Sequence, residues 1–248
     1  MDTKLILAKT DDLFKLCQRR SEAVFSDFLD GGERALIEDS FRMPYGYNTL
    51  FFGGYDGSER VILGVFPEWE EADTEAFPIT VLRFDVPKFR ELNHRDYLGT
   101  LMSLGIDRSK TGDILTDETG AYALVMSDIA EYIAANVTKI ANAGVKARIV
   151  DMAEFTPPAP KCEERACVAA SERLDAVIAA AYNISRAVSE RLVKEGYVKV
   201  NHRESVSRST PVKEGDLVSV RGYGRFNLKA IGANTQKGRL HIVVEKYI

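Results

Sequence analysis

The chain is poor in cysteine, proline and tryptophan: its 248 residues include three Cys, eight Pro and one Trp. Three cysteines (Cys17, Cys162, Cys167) are too few, and odd in number, for a disulfide framework. Cys162 and Cys167 have no second pair with which to complete a zinc site. No stretch approaches the ~18 consecutive apolar residues of a membrane-spanning helix. The first residues hold the acidic pair Asp11-Asp12 and no long apolar run, which predicts no signal peptide and a cytosolic location. Phosphate-loop and dinucleotide fingerprints are missing. His94-Arg95-Asp96 spells a kinase catalytic-loop triplet, but the glycine loop, strand lysine and Asp-Phe-Gly that a kinase also needs are absent. The sequence therefore predicts no catalytic residue, no metal and no cofactor.

What the chain does have is an ordinary packed-protein composition, with 45% hydrophobic and 28% charged residues. Its charge is unevenly placed. Residues 1–160 carry 17 Lys+Arg against 27 Asp+Glu, a net of −10, and residues 161–248 carry 16 against 10, a net of +6. A basic module attached to an acidic body suits nucleic-acid binding. The three prolines between Thr156 and Lys161 cannot sit in a helix or a central strand, so they read as a linker.

The expected fold class is α+β in several domains. Residues 1–73 are read as a mixed N-terminal region, 74–155 as a ferredoxin/RRM-like domain, 156–170 as a proline-rich linker and 171–248 as a small basic domain. In the first region, residues 8–40 look helical, and Tyr47 to Gly53 and Arg60 to Val65 make a hairpin around Asp56-Gly57. The second reads strand, helix, strand, strand, helix, strand. Its elements are Ile79 to Phe84, Arg95 to Leu104, Asp113 to Leu115, Ala121 to Met126, a helix capped by Ser127 and running to Ala141, and Val145 to Val150. His94 is expected to cap or orient the helix beginning at Arg95. Only Tyr122 could stack a base on the middle sheet.

The third region is the most informative. Leu174, Val177, Ile178 and Ala181 make one apolar helical face. Asn183-Ile184-Ser185 breaks that helix, Ser185 caps the next, and Gly196 ends it. Tyr197 to Asn201 alternates as a strand, with Tyr197, Lys199 and Asn201 pointing outward.

Ser171 to Asp175, Ile184-Ser185-Arg186, Gly196 to Asn201 and Glu214-Gly215-Asp216 through Val220 together resemble the S-four RNA-binding domain, named after ribosomal small-subunit protein four. The continuation Arg221 to Phe226 is similar to the bacterial YlmH family. So are Ser26 to Asp30, His94 to Gly99, Leu104 to Arg108 and Gly112-Asp113-Ile114. The resemblance spans nearly the whole chain. It implies RNA binding without catalysis, association with the large ribosomal subunit, its rRNA and tRNA, rescue of stalled peptidyl-tRNA complexes, and a link to cell division.

The candidate RNA contacts are Arg173, Ser185, Arg186, Lys194, Lys199, Asn201, Arg221 and Arg225. Arginine forks and a helix N-terminus suit phosphate, and an amide suits 2′-hydroxyls. Neutralising roughly four phosphates would give a log–log salt slope of about −3. Two other functions compete. One is an RNA-modifying enzyme, since Arg173-Leu174-Asp175 is similar to the catalytic triplet of pseudouridine synthases. The other is an adaptor for division proteins.

Overall fold

A computed structural model describes residues 2–87, 92–235 and 238–247. The chain divides into two units, Met1–Pro158 and Ala159–Ile248, at a point inside the proline-rich stretch.

The first unit contains two sheets. Helix α1 (Thr3–Arg20) is capped by Asp2 and ends at Ser21, which takes a left-handed conformation. Strand β1 (Val24–Leu29) and helix α2 (Gly31–Ser40) follow, and Asp30 and Glu33 close a capping box on α2. The expectation of helix across 8–40 is thus corrected. Val24 and Phe28 lie in the core, and an extended strand lets β1 pair with β3. The predicted hairpin is β2 (Tyr47–Phe52) and β3 (Val61–Pro67), and the sheet order is β1-β3-β2.

The second sheet comprises β4 (Ile79–Asp85), β5 (Thr111–Thr116), β6 (Gly120–Met126) and β9 (Lys146–Val150), with helices α3 (His94–Ser103) and α4 (Ser127–Asn136). Its order is β5-β6-β4-β9, with every neighbour antiparallel. Helix α4 stops short of Ala141. Its chain turns instead through β7 (Lys139–Ile140) and β8 (Ala143–Gly144), where Ala141 has positive φ. Val137 and Ile140 are buried all the same, so the apolar spacing reported burial and not helix length. Ser127 does not cap α4. Its Oγ accepts from the Thr80 hydroxyl at 2.8 Å. Asn93, not His94, caps α3, with Asp96 completing the box, which gives the His-Arg-Asp triplet a structural reason.

Both faces of this second sheet are occupied. Leu82, Phe84, Ala123 and Val125 pack against Tyr97 and Leu101 of α3 and Ala130 and Ile133 of α4. On the other face, Ile79, Val81, Leu124 and Met126 share a core with Phe28, Ile62, Phe66 and Phe77. Tyr122 lies against Phe155, with ring centroids 5.2 Å apart, and under the Arg83 guanidinium at 4.5 Å. Arg83 is itself buried, held by Asp117 at 2.6 Å and Asp85 at 3.0 Å.

The C-terminal unit is built on one antiparallel sheet of β10 (Cys162–Ala169), β11 (Val198–Val200), β12 (Arg203–Glu204), β13 (Leu217–Val220), β14 (Gly224–Asn234) and β15 (Leu240–Tyr247). Its order is β10-β15-β14-β13-β11-β12. Residues 162–169, read from sequence as the end of the linker, form an edge strand. They pair along their full length with β15, and Ala169 reaches the core. Cys162 and Cys167 are five positions apart on this strand, so they fall on opposite faces. Helices α5 (Leu174–Tyr182) and α6 (Arg186–Lys194) cover one face of the sheet. Leu174, Val177, Ile178, Leu192 and Val193 of the helices meet Val198, Val218, Val220, Phe226, Leu228 and Val244 of the strands. Burying each such side chain stabilises the fold by roughly 1.5–3 kcal/mol.

Candidate nucleic-acid interface

The break between α5 and α6 sets the geometry of the first cluster. Asn183, in the left-handed conformation, turns the chain, and Ser185 caps α6 by accepting from the Val188 N–H at 3.3 Å. The turn brings the start of α6 beside the start of α5. Asp175 is fully buried there, and two guanidiniums close on its carboxylate. Arg173 Nε donates to Oδ1 at 3.0 Å, and Arg186 Nη2 donates to Oδ2 at 2.6 Å. Burial opposes the charge on Asp175. The hydrogen bonds from Arg173 and Arg186 outweigh it and hold the carboxyl below its usual range. Both arginine side chains remain substantially exposed, at 39% and 49%. The buried carboxylate therefore aims two cations into solvent from fixed positions.

Arg186 pairs with Asp175 and not with Glu190. Glu190 instead takes Arg208 at 2.8 Å. Lys194 is exposed in the last turn of α6, beside the Val206–Ser209 loop. The same loop supports the start of α5, where the Asp175 N–H donates to the Arg208 carbonyl at 3.3 Å.

The remaining candidates sit elsewhere. Lys199 follows Val198, which points to the core, so Lys199 faces away from the helices. Arg221 lies over the Tyr197 ring at 5.4 Å, and Arg225 over the Tyr247 ring at 4.4 Å. The helices and this strand thus do not present the candidate residues on one surface. The cations divide between the helical side and the opposite face of the sheet. Asn201 belongs to neither group. It adopts positive φ, donates from Nδ2 to Asp216 at 2.7 Å, and accepts from the Leu217 N–H at 2.9 Å. Asp216 also accepts from the Lys213 N–H at 2.7 Å, so the Glu-Gly-Asp motif and Asn201 together lock a turn.

Asp175, Arg208 and Tyr247 were missed by sequence reasoning. The signal for Asp175 was present in Arg173-Leu174-Asp175, but that triplet pointed to catalysis. Here its acid is an anchor, shut off from solvent.

The motifs of the N-terminal half also meet in space, and they serve architecture. Asp113 accepts from the Tyr55 hydroxyl at 2.8 Å and from the Glu59 and Arg60 N–H groups at 2.7 and 3.1 Å, which ties the hairpin loop to β5. Asp27 receives Lys110 at 3.0 Å and the Ser109 hydroxyl at 3.1 Å. Gly112 lies against the Phe28 ring, where a Cβ would come within 2.6 Å.

Two family models match the chain. "Putative RNA-binding domain in YlmH" covers residues 72–154, and "S4 domain" covers residues 172–218. The Bacillus subtilis (strain 168) protein "Ribosome-associated protein quality control protein P2" is 36% identical over 235 residues, which is 94% of this chain and 90% of the relative. A solved structure, "Cell division protein ylmH from Streptococcus pneumoniae", superposes with a TM-score of 0.52 at 22% identity and covers 62% of this chain and 94% of its own; this likeness concerns the fold. With identity at that level across almost its full length, and an S4 domain following a YlmH RNA-binding domain, the chain belongs to the YlmH family.

Proposed function

We propose that this chain is a non-catalytic, cytoplasmic RNA-binding protein that engages rRNA and tRNA on the large ribosomal subunit, in quality control of stalled nascent chains. The observation that carries this reading is the pair Arg173 and Arg186, fixed on a buried carboxylate and directed outward. An arginine held in one orientation loses less rotamer freedom on meeting a phosphate, so the fork arrives preorganised. Lys194 extends the positive surface along α6. The start of α6, with Ser185 exposed, offers the partial positive charge of a helix N-terminus. The relative named for ribosome-associated quality control supports the setting.

The strand order β5-β6-β4-β9, with α3 and α4 on one face, is that of a ferredoxin-like sheet, the frame also used by RRM domains. Its other face is covered, so we assign RNA contact by the middle region to loops and edges and not to base stacking on the sheet.

Sucrose-gradient fractionation of the tagged protein is the test. The wild type should sediment with large subunits at low salt, and Arg173→Ala with Arg186→Ala should move it to the top of the gradient. A wild type absent from ribosomal fractions, or a double variant that sediments unchanged, refutes the reading. Crosslinking followed by RNA sequencing then identifies the bound segment.

A further inference from the structure

The face of the C-terminal sheet turned away from α5 and α6 carries a second cluster whose chemistry differs from that of the helical side. Register sets it up. Lys199 pairs with Ser219, and Ser219 with Arg225. Phe226 pairs with Lys246 and Cys162 with Tyr247, so Tyr247 stands next to Arg225 in the same row. Lys199, Ser219, Arg225 and Tyr247 thus cross β11, β13, β14 and β15 in one line. Tyr197 and Arg221 make the adjacent row, where the Arg221 N–H donates to the Tyr197 carbonyl at 2.9 Å. Together they line an open concavity of about 700 Å³.

Three cations and two tyrosines line this concavity, and among the described residues no carboxylate does. Among the described residues, two acids stand at its margins. Glu204 is paired in register with Lys199 and lies against Gly196, and Glu245 is in the row beyond Arg225. The chain crosses the rim at Gly222 and Gly224, both with positive φ. A Cβ at either glycine would meet no heavy atom of the described residues within 4 Å, so the wall there is low and open.

From this face we infer that the C-terminal unit binds unpaired nucleotides of RNA, by stacking bases on the guanidiniums of Arg221 and Arg225. Each guanidinium rests on a tyrosine ring, Tyr197 at 5.4 Å and Tyr247 at 4.4 Å, and its outer plane is the surface a base covers. Lys199 then meets the phosphate between bases. Bases inside a duplex present edges and no free faces, so the arrangement selects extruded or single-stranded segments. The inference rests on the RNA-binding reading above, but it concerns a different face and a different form of RNA from the arginines on Asp175.

The test uses the full chain with a fluorescein-labelled oligoadenylate and a blunt-ended RNA duplex, read by anisotropy. Arg221→Lys with Arg225→Lys keeps the charge and removes the planar surface. It should weaken oligoadenylate binding roughly tenfold and leave duplex binding unchanged, and oligoadenylate should bind the wild type more tightly than oligouridylate. Unchanged oligoadenylate binding in the lysine variant, equal loss of both RNAs, or equal displacement of oligoadenylate by oligoglutamate would each overturn the stacking site. A wild type that binds the duplex but not oligoadenylate overturns this inference alone, whereas one that binds neither RNA overturns the RNA-binding reading as well.

Discussion

Arg186 reaches back from the first turn of α6 to Asp175 in the first turn of α5, and its Nη2 lies 2.6 Å from the buried Oδ2. The contact joins two helices that the turn at Asn183 has folded together. It also converts a flexible cation into one with a set direction.

Asp175→Asn should therefore weaken RNA binding although it removes a negative charge. Net charge alone predicts tighter binding. Loss of the anchor predicts weaker binding, on the order of tenfold, as the two guanidiniums regain rotamer freedom. Anisotropy titration with the blunt-ended RNA duplex at one fixed salt concentration distinguishes the two directions.

Stability of the C-terminal unit should also depend on this acid. The folded carboxyl titrates below its unfolded value, so its contribution is complete above the ordinary carboxylate range, about 4, and drains away as pH falls through the lower folded value. Urea melts of wild type should lose stability across that acidic window. Asp175→Asn should show a much flatter dependence there.

The salt dependence of binding measures how many phosphates the helical side neutralises. Replacing Arg173 and Arg186 together by Ala should make the log–log slope shallower by about 2, in proportion to the contacts removed. Arg208→Ala should change it by about 1 or less, because its guanidinium is bound to Glu190 at 2.8 Å.

Parts of this were legible in the sequence. The stripe Leu174, Val177, Ile178 and Ala181 marked α5 because a helix that buries one side repeats its apolar residues at that spacing. Asn183 and Gly196 marked its neighbours because left-handed backbone favours those residues. Strand β1 was hidden because Val24 to Leu29 lies between two good helices and owes its form to β3, a partner more than thirty positions away. The row from Lys199 to Tyr247 was hidden for a similar reason. Each residue reads as a surface position in its own strand, and only the pairing across four strands sets them side by side. The anchoring role of Asp175 depends on helix packing, which no local pattern encodes.

In the first unit, the Asp117–Arg83 pair gives an independent acid signature. Burial raises the cost of the Asp117 charge, yet hydrogen bonds from Arg83 and Thr119 hold its carboxyl down at about 2. A depressed acid stabilises the fold above its unfolded value, here by about 2 kcal/mol at neutral pH. That contribution disappears as pH falls toward 2. Asp117→Asn should lower the melting temperature at pH 7 and converge with wild type near the acid limit, as followed by circular dichroism.

Gly112→Ala tests the junction of the two N-terminal sheets. A methyl group there would come 2.6 Å from the Phe28 ring, within a packed core. Overpacking of this kind costs about 1–3 kcal/mol. Differential scanning calorimetry should show a lower transition for the first unit, and the C-terminal transition should not move.

Because Phe28, Ile62, Phe66 and Phe77 roof the sheet made by Val81 and Leu124, the segment matched as an RNA-binding domain cannot be excised at its sequence limits. A polypeptide beginning at residue 72 would bare a wide oily slab and clump through it. The smallest piece that keeps that slab dry begins before Phe28, so dissection of relatives with this architecture belongs at the prolines, not ahead of β4.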